Sequence, residues 1–159
     1  MKKYYLAYGS NLNREQMRYR CPNARPVGTA LLEDWRLIFR GSRSGNYLTI
    51  EPCEGASVPV AVWAVTQVDE RALDRYEGYP VFYRKETLPI TYKGLKTGEE
   101  RQVTAFVYLM NDGHPAGLPT LRYMATCWMG YQDFAFDPET LLEAQAYTRE
   151  VSVHEGIER

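Results

Sequence analysis

Strand-forming segments outnumber helical ones in this chain, and the two kinds do not alternate. A doubly wound parallel sheet needs regular strand–helix–strand repeats, so the pattern points away from it and toward an α+β fold. Tyr4 to Tyr8 is aromatic, short and stopped by Gly9, as a strand is. Val27 to Leu32 and Trp35 to Arg40 read as two strands parted by Glu33-Asp34. Gly45-Asn46 reads as the next turn, Tyr47 to Ile50 as a further strand, and Val58 to Val68 as another with strong β content around Trp63. Tyr83 to Tyr92 and Gln102 to Met110 form a strand pair, joined by a polar turn around Gly94, Lys96 and Gly98. About six or seven short strands of this kind are enough to curl into a small barrel.

Three or four short flanking helices are inserted among them. Asn13 followed by Gln16 resembles a cap, opening a helix with Met17 that stops before Pro22. Asp69 is placed as the N-cap of the next helix, with Ala72, Leu73 and Tyr76 on one side and Gly78 and Pro80 as its stop. Pro119 to Gly130 is helical in spacing, and Pro138 after Asp137 opens a final helix with Leu141, Leu142 and Ala146. Residues 149–159 are expected to be a polar, frayed tail. The length suits one domain over residues 1–159.

Charge narrows the function classes. Nineteen basic and 20 acidic residues give a net charge of −1, which removes the electrostatic case for a nucleic-acid binder. Arg36, Arg40 and Arg43 read as a solvated strand-and-turn surface. Thirteen tyrosines offer stacking faces, but without a basic groove they read as core or barrel lining. No apolar stretch reaches the ~18–20 residues of a membrane span. The apolar opening breaks off at Gly9-Ser10-Asn11, so no secretion signal is expected and the cytoplasm is the expected compartment. Three widely spaced cysteines and two histidines suggest neither a disulfide framework nor a metal site. His114, in a turn-like run, and His154, near the polar end, read as solvated.

Two features carry chemistry. The first is Tyr8-Gly9-Ser10-Asn11-Leu12, between a strand and a helix. Gly9 lets a ligand approach the main chain, and successive N–H groups in such a bend suit a carboxylate or a developing oxyanion. A tight structural turn capped by Ser10 or Asn11 fits the same residues. The second is Glu77, at the carbonyl end of the helix from Asp69, where an acid is disfavoured. Tyr76, Tyr79, Phe82 and Tyr83 around it shed water. Both effects raise a carboxyl pKa toward what a general base needs near neutrality. The alternative is a Glu77 that points into solvent, or pairs with Arg75 or Arg84.

The bend, about 65 residues before Leu73-Asp74-Arg75-Tyr76-Glu77-Gly78, resembles the γ-glutamylcyclotransferase (AIG2-like) superfamily. Pro26 to Phe39, Val62 to Val65, Tyr83-Arg84, Val107 to Met110 and Tyr123 to Gly130 agree in order, so the resemblance covers roughly residues 4 to 145. It implies a compact mixed β-barrel with flanking helices, no metal or organic cofactor, and a small-molecule γ-glutamyl substrate. It implies Tyr8, Gly9, Ser10, Asn11 and Leu12 as the substrate-binding loop, Glu77 as the catalytic acid/base, and Tyr83 and Tyr123 near the pocket. The implied reaction is attack of the substrate's α-amine on its own γ-carbonyl, releasing 5-oxoproline and an amine, amino acid or peptide. The opening motif is closer to the branches that act on peptides or in biosynthesis than to the one acting on γ-glutamylamines. The aromatic segment Tyr131 to Phe136 departs from the family pattern and is expected to line or cap the pocket. A monomer or homodimer fits, and the competing function is a non-catalytic binding or interaction module on the same scaffold.

Overall fold

The computed structural model describes residues 2–158. Five strands close into a barrel in the order β1-β3-β2-β4-β5: β1 (Lys3–Ala7), β2 (Arg25–Ser42), β3 (Gly45–Val65), β4 (Tyr83–Gly94) and β5 (Glu100–Met110). All neighbours run antiparallel except β1 and β5, which meet in parallel at Tyr4–Ala105 and Tyr5–Phe106. The mixed α+β barrel is the expected class. Leu6, Val60, Val62, Val107 and Leu109 fill its interior and are almost wholly buried.

The strand count is five rather than six or seven because two expected breaks are bends. Glu33-Asp34 is a bulge inside the 18-residue β2, not a turn between strands. Asp34 takes a left-handed φ of 67° and its Oδ1 accepts a hydrogen bond from Gly55 N at 3.0 Å. Gly55, with φ of 83°, bends β3 beside it, so the long β2–β3 hairpin kinks as a unit and continues. The hairpin turn lies at Arg43-Ser44, just before the expected Gly45-Asn46, both of which already belong to β3.

Beyond the kink, Phe39 and Leu48 face each other across the hairpin with their backbone groups turned outward. Phe39 N donates to Thr148 Oγ1 and Phe39 O accepts from Gly117 N. Leu48 N donates to Tyr123 Oη at 3.1 Å, and Leu48 O accepts from Tyr83 Oη at 2.8 Å. Both edges of this level are thus closed by other elements, as buried backbone groups require.

Four α-helices flank the barrel among the described residues: α1 (Arg14–Arg20), α2 (Gln67–Glu77), α3 (Leu121–Asp133) and α4 (Glu139–Glu158). Asn13 caps α1 by accepting from Gln16 N at 3.0 Å, as expected. The cap of α2 is Thr66 rather than Asp69. Thr66 Oγ1 accepts from Asp69 N while Asp69 Oδ2 accepts from Thr66 N, a reciprocal capping box that places Asp69 three residues inside. Lys85 Nζ reaches Glu70 at 2.8 Å and Asp74 at 2.9 Å, Lys3 reaches Glu70 at 2.9 Å, and Tyr108 Oη donates to Asp74 at 2.6 Å. Helix α2 is therefore fastened to β1, β4 and β5. Gly78, at φ of 65°, ends it in the left-handed conformation that favours glycine.

The expected frayed tail is instead the second half of the 20-residue α4. Its polar side chains are used inward: Glu155 accepts from Arg40 at 2.9 Å and from Ala116 N at 2.8 Å. Arg40 is correspondingly not a solvated surface group. It is largely covered and also donates to Glu51 at 2.6 Å and to His114 O at 3.0 Å. Polarity alone does not distinguish a solvated arginine from one surrounded by acceptors.

Candidate active site

Strand β1 delivers the chain to the bend. Tyr8 turns inward and its hydroxyl donates to Tyr108 O at 2.7 Å. Gly9 keeps this corner close: a Cβ there would lie 3.2 Å from Tyr123 Oη, so that hydroxyl would have to give by a few tenths of an ångström, while Leu48 Cβ at 3.5 Å would be an ordinary contact. Ser10–Leu12 form a single 3-10 turn, closed by Leu12 N to Gly9 O and Asn13 N to Ser10 O, both at 3.0 Å. The first N–H groups of such a turn have no acceptor within it. Asn11 is buried, and its Nδ2 donates to Tyr5 Oη at 2.8 Å.

Glu77 arrives from the far side of the sequence as the last residue of α2. Its Oε1 accepts from Asn11 Nδ2 at 3.4 Å, so the bend and the acid meet. Between them is a cavity of about 270 Å³. The bend contributes Tyr8, Gly9, Ser10 and Asn11, α2 contributes Tyr76 and Glu77, and Tyr83 and Tyr123 complete the expected set. Leu12 is not part of it. It is wholly buried and packs under Gly130 of α3, where an added Cβ would lie 2.6 Å from Leu12 Cβ. The last position of the bend anchors the loop instead of lining the site.

Tyr5, Tyr47, Leu48, Phe82 and Tyr108 also line the cavity, so seven of its walls are tyrosines. Tyr5 and Tyr108 come from segments read as strands, without anything local to mark which residues face a ligand. Leu48 carries no such signal at all. Tyr79 lies outside the lining and is 40% exposed. Tyr131 and Phe134 are buried, and the 131–136 segment packs on itself and on Trp63, away from the cavity. It neither lines nor caps the pocket.

Burial lifts the Glu77 carboxyl from its ordinary value to about 7, against the lowering pull of the Arg20 guanidinium. The part of Glu77 still accessible belongs to the cavity lining, which is why a half-buried residue behaves electrostatically as an enclosed one. Glu77 makes no ion pair with Arg75 or Arg84 among the described residues; Arg84 reaches Glu86 at 3.6 Å instead. The surrounding hydroxyls of Tyr5, Tyr8, Tyr83, Tyr108 and Tyr123 are all pushed upward, first by burial, and stay protonated. A wider groove of about 880 Å³ shares none of these residues. Its charged groups Arg40, Glu51, Arg84, Glu86 and Asp112 already face one another as ion pairs.

The family described as γ-glutamyl cyclotransferase, AIG2-like, matches residues 5–129. The chain belongs to that family. Human γ-glutamylcyclotransferase is 28% identical over 160 residues, covering 93% of this chain and 82% of the human protein. The mouse γ-glutamylcyclotransferase is 29% identical over 136 residues, covering 81% of this chain and 70% of its own. A solved structure named γ-glutamyl cyclotransferase superposes with a TM-score of 0.72 at 26% identity, over 95% of this chain and 88% of that one. YkqA from Bacillus subtilis, at 16% identity, shares the fold with a TM-score of 0.73 over 94% of this chain and 55% of its own. The family match spans both the bend and Glu77.

Proposed function

We propose that this protein is a γ-glutamylcyclotransferase in which Glu77 moves the protons. The observation that carries the proposal is the juxtaposition of Asn11 and Glu77 at 3.4 Å in one aromatic-walled cavity. A volume of about 270 Å³ lies just under the usual span of ligand pockets and suits a group the size of a glutamyl residue.

The substrate brings its own nucleophile. Its neutral α-amine attacks the γ-carbonyl carbon of the same glutamyl group, and the five-membered ring gains from the reacting atoms being tethered. The new C–N bond forms as the carbonyl π electrons move to oxygen. Glu77, half ionised at a pH of about 7 and increasingly so above it, takes the amine proton in its carboxylate form. The protonated carboxyl then gives that proton to the leaving nitrogen as its bond to the carbonyl carbon breaks. The products are 5-oxoproline and an amine, amino acid or peptide, and no water is consumed. The N–H groups at the start of the Ser10–Leu12 turn are suited to hold the oxyanion or the α-carboxylate. The protein works in this scheme without an added cofactor.

The test is 5-oxoproline release from γ-glutamyl amino acids, γ-glutamyl-lysine and γ-glutamylamines by wild type and Glu77→Gln. Turnover by wild type and none by the amide variant is the expected result. Full activity in Glu77→Gln overturns the assigned role. Binding of a γ-glutamyl compound by wild type without any product overturns the catalytic reading in favour of a binding module.

A further inference from the structure

We infer, resting on the cyclotransferase function above, that Arg20 is a positioning residue of the site: it fixes which way the Asn11 amide faces and so makes Asn11 a hydrogen-bond donor to Glu77. Arg20 closes α1 and does not line the cavity. Its Nη1 donates to Asn11 Oδ1, and its Nη2 donates to Gln16 Oε1 at 2.9 Å. Its guanidinium carbon lies over the Tyr76 ring, 3.4 Å from the centroid. No carboxylate lies within ion-pairing distance of it among the described residues, although most guanidinium groups seek one.

The chemistry of the donors decides the orientation. A carboxamide has an acceptor end and a donor end, and the two are easily exchanged. Arginine has only donors, so the Asn11 oxygen must face Arg20. The NH₂ group is then forced toward the interior, where Tyr5 Oη stands at 2.8 Å and Glu77 Oε1 at 3.4 Å. Without Arg20 the amide is free to turn its oxygen toward Glu77, which an ionised carboxylate cannot tolerate.

The same cation acts on Glu77 through space. Glu77 is faced by Tyr5 of β1, Tyr83 of β4, Tyr108 of β5, Tyr123 of α3 and Tyr76 of its own helix, together with Tyr8 of the bend. Burial keeps the inner hydroxyls protonated, so Arg20 is the charged side chain among the described residues that offsets the desolvation of Glu77. The guanidinium also presses on Tyr76, whose hydroxyl shares a hydrogen bond with Ser10 Oγ at 3.0 Å. One residue outside the cavity thereby reaches the acid, the bend and the aromatic wall.

The experiment follows the Glu77 carboxyl carbon by NMR against pH in wild type, Arg20→Gln and Arg20→Lys, beside the pH profile of 5-oxoproline release. In Arg20→Gln the Glu77 midpoint rises by about one pH unit, and the acid limb of kcat/KM moves with it. Arg20→Lys keeps the charge but not the flat two-pronged fork, so its midpoint stays nearer wild type while kcat falls. An unchanged midpoint in folded Arg20→Gln overturns the inference. So does an unchanged midpoint in Arg20→Lys together with wild-type kcat, and this second variant decides the matter if the glutamine form does not fold. The titration needs no turnover, so a wild type that releases no 5-oxoproline sinks the proposed function and leaves this inference separately scored.

Discussion

Asn11 Nδ2 stands 3.4 Å from Glu77 Oε1, although 66 positions separate the two residues. The contact exists because β1 ends beside the end of α2, and both are pinned to β5: Tyr8 by Tyr108 O, and α2 by the Asp74–Tyr108 hydrogen bond. Replacing Asn11 by Leu keeps the volume and removes the amide. Loss of one donor to a reacting group commonly costs on the order of 10²-fold in rate. Steady-state kinetics of Asn11→Leu should show a fall of roughly tenfold or more in kcat/KM, and wild-type kinetics would refute the contact's importance.

Glu77 also sets a pH dependence of stability. Its folded pKa of about 7 lies above the unfolded value of 4.5, so the folded state holds the extra proton between them. That contribution is fully present below the unfolded pKa and is lost as pH rises through about 7. The shift corresponds to about 2–3 kcal/mol, the lower figure allowing for the accessible part of the side chain. Urea denaturation of Glu77→Gln should show a gain of that order at pH 8 and little change at pH 4. A variant no more stable than wild type at pH 8 contradicts the assigned burial.

Gly130 brings α3 close against the bend. An added Cβ would meet Leu12 Cβ at 2.6 Å and Asn13 N at 2.7 Å, the latter a backbone atom that cannot swing away. Alanine gains about 1 kcal/mol of helix propensity, but overpacking against backbone costs ~1–3 kcal/mol or more. Gly130→Ala should therefore lower the melting temperature and weaken activity together, since the loop that moves carries Ser10 and Asn11. A raised melting temperature would show that α3 can slide away.

The hydroxyls of Tyr83 and Tyr123 are both bound to Leu48, one on each of its backbone groups. Leaving a buried backbone group without a partner costs about 1–3 kcal/mol. Tyr83→Phe and Tyr123→Phe should each destabilise by that amount in thermal unfolding, and the cavity wall at Leu48 should loosen in hydrogen exchange. Undiminished stability would mean the two hydroxyls are free for substrate instead.

Removing residues 150–159 tests the second half of α4. The deletion takes away Glu155 and strips Arg40 and Ala116 N of an acceptor. A hydrogen bond to a charged group is worth about 1.5–3 kcal/mol, so the melting temperature should fall by roughly 4–8 °C. A truncated protein that melts like the full chain would restore the picture of a frayed end.

Local chemistry made part of this legible. The lack of alternation announced the α+β class, and the bend and Glu77 announced themselves as a glycine turn and an acid at the wrong helix end. What failed were features settled by contacts far along the chain. Glu33-Asp34 has the residues of a turn, and only Gly55 opposite it decides that the strand continues. The cap of α2 is the local exception, three residues wide: Asp69 is as good a cap as Thr66 until their reciprocal bonds are seen. Leu12 sits inside the motif, yet Gly130 claims it for packing. Tyr5, Tyr47, Leu48 and Tyr108 reach the cavity by barrel closure, which no short window of sequence contains.

The parallel seam between β1 and β5 has a consequence for biosynthesis. Strand β1 is made before both of its neighbours, β3 and β5, and the second of them ends only at Met110. On the ribosome the glycine turn emerges early and waits, its Tyr8 without the carbonyl of Tyr108 to hold it. A nascent chain halted before that strand has every residue of the turn and Glu77 as well, but no vessel in which they meet.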